Sequence, residues 1–234
     1  MTREQVYGRR PVREALRGPR EVLELWATER AVASEAWLGE GPRVQVKPDR
    51  EIGEAADTRD HQGVLAWCEP YRYADAHELA NVEQPLLACL DQVTDPRNLG
   101  AVIRSAEGAG ATGVVVPAHG SAMVTAAVCR SSAGAVEHLP VAVVPNLARY
   151  LNEIKRGDLW IYAASVEAEQ SMWAADLTGG LALVFGAEGK GVRPLVRRAC
   201  DAAVSIPLTG RVESLNVSVA AALLLYEARR RRDG

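Results

Sequence analysis

The sequence predicts an α/β protein built on a mostly parallel sheet, and three observations carry that expectation. From residue 86 onward, strand-like apolar runs take turns with stretches of helical spacing. The runs are continuously apolar rather than alternating, as strands covered on both faces are. The composition is that of a globular chain: 234 residues, 48% hydrophobic and 24% charged, enough for one large domain or two modest ones.

The first region, residues 6–70, is a charge-dense α/β mixture. A helix is expected at 11–17, with β-prone runs at 22–27, 44–47 and 63–68. Residues 71–85 read as a connection with a short helical piece, ending at Pro85. A strand follows at 86–93. Asp95, Pro96, Arg97 and Asn98 then supply turn chemistry, with Asn98 as the expected N-cap of a helix over 99–109. Leu99, Val102, Ile103 and Ala106 form its apolar stripe, while Gly100, Arg104 and Gly108 lie four apart on the opposite side. Strands at 114–117 and 142–144, a helix at 146–155 and strands at 159–164 and 181–185 continue the alternation. A short helix precedes a strand at 204–207. The last helix, 215 to about 232, is apolar around most of its circumference as far as Leu225. Such a helix must be buried on several sides, at the domain centre or at a subunit interface.

Charge and motif content narrow the function. With 27 basic and 30 acidic residues the net charge is −3, which argues against a protein that coats nucleic acid non-specifically. An RNA contact would need a local basic face. Arg3, Arg9, Arg10, Arg13, Arg17 and Arg20 supply one or are solvated helix charge; the arginines at 229–232 contact RNA or favour a helix C-terminus. Cys68, Cys89, Cys129 and Cys200 form no CxxC pair, which argues against a zinc ribbon or disulfide scaffold and points to a reducing, cytoplasmic setting. The histidines (61, 77, 119 and 138) show no metal spacing, and no nucleophile elbow is visible, so neither a metal nor hydrolase chemistry is expected. The longest stretch without Asp, Glu, Lys or Arg, 108–129, contains Pro117, His119 and glycines; it reads as strand, loop and helix start, so no membrane span is expected. The arginine-rich N-terminus has no apolar segment behind it and is no secretory signal.

Two glycine strings need separate treatment. Gly108, Gly110 and Gly113 fit GxGxxG, but the string ends a helix and leads into a strand. A dinucleotide fold needs the reverse order, so these glycines read as a helix C-cap and turn, which disfavours a nicotinamide dehydrogenase. Gly186, Gly189 and Gly191 follow a strand without P-loop spacing. They make either a plain tight turn or a loop that lets a ligand approach the backbone. Arg104, flanked by glycines on its helix, is a solvated arginine or a fork open to phosphate.

Three blocks together resemble the SpoU family of RNA ribose 2'-O-methyltransferases. The first runs over 95–107 and contains Asn98, Gly100 and Arg104; the second over 184–191, with Gly186, Glu188 and Gly189. The third joins Ser205, Ile206 and Pro207 to Ser214, Leu215, Asn216 and onward to Ala220. Near the N-terminus, Val6, Tyr7, Gly8, Val12, Ala15 and Leu16, with His61, Gln62 and Gly63, resemble the small RNA-binding domain of the family's 23S rRNA guanosine enzymes. The resemblance implies an RNA-binding domain at 1–75, a linker at 76–85 and a trefoil-knotted domain at 86–234, dimeric through that domain. It implies S-adenosylmethionine as methyl donor, held at Gly186, Gly189, Ile206, Pro207 and Leu215, with the glycines leaving room for it. Arg104 would be central to catalysis, with Asn98, Glu188, Ser214 and Asn216 shaping the site. Because guanidinium stays protonated, Arg104 is expected to orient the target phosphate and hydroxyl rather than act as the base. The implied substrate is a guanosine of 23S rRNA. The alternatives are tRNA, another rRNA nucleotide (including a resistance methylation), or a catalytically silent paralogue that binds RNA during ribosome assembly.

Overall fold

The computed structural model describes residues 2–187 and 189–233. The chain forms two compact units: one holds residues up to Arg72 together with Val124–His138, the other holds Tyr73–Met123 and the chain from Leu139 onward.

In the first unit the strands are β1 (Glu4–Tyr7), β2 (Val22–Ala27), β3 (Val44–Val46) and β4 (Val64–Cys68), in the order β1-β4-β2-β3. β4 is antiparallel to both neighbours and β3 is parallel to β2. The helices are α1 (Arg9–Arg17), α2 (Glu29–Ser34) and α3 (Asp49–Ala56). β1 is absent from the sequence expectation: four residues with two polar ones give no run to read, and their partner lies some sixty positions on. Helix Ala126–Ser131 and the 3-10 turn Ala135–Glu137 complete this unit. Arg20 is buried, with Nε donating to Glu137 Oε2 at 3.2 Å and Nη1 to Glu4 Oε2 at 3.3 Å. The Glu137 side chain is 1% exposed, so each charge is the other's main compensation. That pair explains why 124–138 groups with the first unit although the sequence reading carries it in the second region.

The second unit is built on a six-stranded sheet of β5 (Leu86–Asp91), β6 (Gly113–Pro117), β7 (Val141–Val144), β8 (Leu159–Ala164), β9 (Gly180–Gly186) and β10 (Ala202–Val204). The order is β10-β8-β9-β5-β6-β7 and every pairing is parallel. α4 (Ala76–Ala80), α7 (Leu147–Glu153) and α8 (Pro194–Ala199) cover one face, packing on Leu87, Cys89, Val115, Ile161, Ala182 and Val184. On the other, α5 (Pro96–Gly108) and α9 (Val217–Asp233) pack on each other and on β5, β6 and β9. Helix Ala126–Ser131 is α6 in chain order.

Three boundaries differ from expectation for physical reasons. α5 begins at Pro96, because Asp95 rather than Asn98 is its cap: the Asp95 carboxylate accepts from Arg97 N at 2.8 Å and proline fits the first helical position. β10 stops at Val204, and Ser205 instead bonds the loop at 170–172, its N donating to Gln170 O at 2.9 Å. α9 starts at Val217, capped by Asn216, whose Oδ1 accepts from Ser218 N at 2.9 Å. α9 buries Val217, Ala221, Leu224, Leu225 and Ala228, but leaves a stripe of Val219, Leu223 and Tyr226 between 41% and 52% exposed. Its terminal arginines bond within the chain: Arg229 to Asp233, Arg230 and Arg231 to Glu227, and Arg232 to the carbonyls of Gln84, Pro85 and Gly179. No helix among the described residues is long and apolar enough to cross a membrane.

Candidate active site

A parallel sheet directs the carboxyl ends of its strands, and the loops after them, toward one edge, where ligands bind. Here that edge carries a cleft of about 810 Å³. Its walls come from the end of β8 and the residues after it (163–167), the end of β9 and the loop after it (185–187 and 189–192), the chain after β10 (Ile206 and Leu208) and residues 213–217. A smaller cavity of about 450 Å³ is lined by Gln92, Val93, Thr94, Asp95, Asn98, Gly120, Ala187, Lys190 and Val217. The two share Ala187, Lys190 and Val217 and so adjoin.

The loop after β9 folds back on its own strand. Gly191 N donates to Ala187 O at 2.9 Å. A Cβ on Gly186 would stand 2.0 Å from the carbonyl carbon of Gly191, so the glycine is required by the chain itself. This reason is independent of the expected one, room for a ligand. Gly189 and Gly191 have φ of +73° and +64°, the left-handed region that glycine adopts without strain. Buried Asp91, at the end of β5, clamps the loop's far end: Arg193 N donates to its Oδ2 at 2.8 Å, and Arg193 Nη2 lies 2.7 Å from Oδ1. The sequence reading missed this pair. Its one legible trace is an acid ending an otherwise apolar strand.

The first and third motif blocks also meet. Asn216 Nδ2 donates to Asn98 Oδ1 at 3.0 Å across 118 positions of chain. Starting α5 at Pro96 is what leaves the Asn98 side chain available for this bond.

Of the expected site residues, Gly186, Gly189, Ile206, Ser214, Leu215 and Asn216 line the cleft and Asn98 lines the smaller cavity. Pro207 is not among the lining residues of either. Arg104 is exposed on α5, lines neither cavity, and has no ion pair or side-chain hydrogen bond among the described residues. Glu188 lies outside the described residues. Among the N-terminal arginines, Arg3, Arg9, Arg17 and Arg20 pair with carboxylates, which leaves Arg10 and Arg13 exposed without an ion pair among the described residues.

Burial pushes the Cys129 thiol up to about 11 and Cys68 and Cys200 to about 12, so these sulfurs are no nucleophiles near neutrality. Among the described residues no group of three His, Cys, Asp or Glu side chains is placed to hold a metal ion.

Comparison with known proteins defines the class. The SpoU rRNA Methylase family model matches residues 85–226, and a model for RNA 2'-O ribose methyltransferase substrate binding matches residues 5–74. The chain belongs to the SpoU rRNA methylase family and is an RNA 2'-O-methyltransferase. Among individual relatives, the 23S rRNA (guanosine-2'-O-)-methyltransferase RlmB of Pectobacterium atrosepticum is 40% identical, over 99% of this chain and 99% of its own. RlmB of Escherichia coli (strain K12) is 42% identical over 82% of this chain and 81% of its own. Among solved structures, the SpoU methyltransferase AviRb from Streptomyces viridochromogenes, in complex with the cofactor AdoMet, superposes with a TM-score of 0.82 at 30% identity, covering 98% of this chain and 90% of that one.

Proposed function

We propose that this protein methylates the ribose 2'-hydroxyl of a guanosine in 23S rRNA, with S-adenosylmethionine as donor. The observation that carries the reading is the Asn98–Asn216 bond, which holds two distant motif blocks together where the large cleft meets the smaller cavity. The residues present fit the donor: the cleft lies within the roughly 300–1,000 Å³ of small-molecule sites, and its lining mixes glycine backbone, Ile206, Leu215 and Glu213. Gly186, Gly189, Ile206 and Leu215 would hold it, with Pro207 shaping the chain beside Ile206. When bound, the donor supplies a methyl group already activated on sulfonium.

The protein's task is then alignment and proton removal. Asn98, Ser214 and Asn216 orient the ribose, with Glu188 in the same set. Arg104, a permanent cation without an internal carboxylate partner among the described residues, binds the target phosphate and orients the hydroxyl. We further infer that residues 1–75 select the RNA, that 76–85 link the two regions, and that 86–234 perform the transfer. Bonding of Ser205 to the loop at 170–172, with 213–217 walling the cleft, supports a tail threaded as a trefoil knot. The exposed stripe on α9 supports a homodimer through this domain, and the expected setting is the cytoplasm.

Tritiated methyl transfer to 23S rRNA transcripts, followed by site mapping, tests the reading. Label is expected on one guanosine ribose, and Asn98→Ala should lower the rate roughly a hundredfold through lost alignment. Label on a base, or on tRNA alone, would overturn it. Arg104→Lys should transfer poorly even at raised pH; efficient transfer there would contradict the orienting role.

A further inference from the structure

We propose that Lys190 binds a backbone phosphate of the RNA substrate at the seam between the two cavities. The inference rests on the methyl-transfer reading above and adds a residue outside the expected site set. Lys190 lines both cavities, and it is the only cation among the described residues lining the smaller one. It is exposed and has no carboxylate partner among the described residues. The other cation lining the cleft, Arg197, already faces Glu167 at 3.5 Å.

Lys190 sits between Gly189 and Gly191, which carry no side chains. Among the described residues lining the smaller cavity the one acid, Asp95, is occupied as the cap of α5, accepting from Arg97 N at 2.8 Å. The ring of a ribose places its 2'-hydroxyl next to the 3'-oxygen that carries the following phosphate. A ribose presented at the seam beside Asn98 therefore brings a phosphate with it, within the reach of a flexible point-charge side chain.

The test pairs two titrations on Lys190→Ala and Lys190→Arg. Calorimetry with S-adenosylmethionine should give donor affinities within twofold of wild type for both variants. RNA affinity, measured with a 23S rRNA transcript across a salt series, should fall for Lys190→Ala. Its log–log salt slope should drop by about 0.7–0.9, the value of one phosphate contact. Lys190→Arg should restore both. Unchanged RNA affinity and slope in Lys190→Ala would overturn the proposal. So would a tenfold loss of donor affinity with RNA binding intact, because Lys190 would then serve the donor. Wild-type protein that binds RNA but no donor would break the methyl-transfer reading instead, while the salt slopes would still decide the role of Lys190.

Discussion

A methyl group on Gly186 would stand 2.0 Å from the carbonyl carbon of Gly191, whereas on Gly108 it would stand 2.7 Å from the hydroxyl of Tyr226. Both residues open glycine strings that look alike on paper. The first obstacle is backbone, held by the Asp91–Arg193 clamp, and cannot withdraw. The second is the tip of a half-exposed side chain on α9, which can swing outward. The need for glycine is therefore set by what lies opposite and how firmly it is held.

Substitutions grade that contrast. Gly186→Ala should be the most damaging, destabilising by about 3 kcal/mol or more, because the loop must leave its strand. Urea denaturation reads the loss, and donor calorimetry should show the cleft disabled. Asp91→Asn should cost about 2 kcal/mol: it keeps the shape but removes the charge that Arg193 meets, and that arginine is 45% exposed and can rehydrate. A wild-type urea midpoint for Asp91→Asn would show that the loop does not depend on the clamp. At the other string, Gly108→Ala should lie within about 0.5 kcal/mol of wild type, gained helix propensity offsetting the movement of Tyr226. A loss as large as that at Gly186 would erase the distinction.

The smallest effect concerns α9 itself, whose Tyr226 lies against Gly108. Hydrogen bonds from Arg230 and Arg231 hold the Glu227 carboxyl down to about 2 against an ordinary 4.5. A carboxyl depressed by folding contributes stability in full above its unfolded value, and loses it as pH falls from about 4.5 toward about 2. Glu227→Gln should flatten that part of an acid-unfolding curve, lowering stability modestly at neutral pH and leaving it almost unchanged near pH 2.

Legibility followed the range of the interaction. β8 was readable to the residue at 159–164, and β9 to within one residue at each end, because their apolar runs report burial locally. The expected start of α5 lies too late because Asn98 reads as the cap where Asp95 serves, and only the bond from Asn216 shows why Asn98 has other work. The motif blocks gave the cleft lining through a resemblance, not through spacing. Asp91 with Arg193 and Arg20 with Glu137 stayed invisible, since the partners are 102 and 117 positions apart and nothing near either one signals the other.

The detour of residues 124–138 into the first unit limits how the molecule can be dissected. A scissors cut at the boundary of the substrate-binding match, after residue 74, would strand Glu137 without its guanidinium and bare Val128 and Cys129 to water. A truncated enzyme made that way would report on an injured polypeptide rather than on a catalytic core relieved of its RNA selector. Point changes on the intact chain are the cleaner instrument.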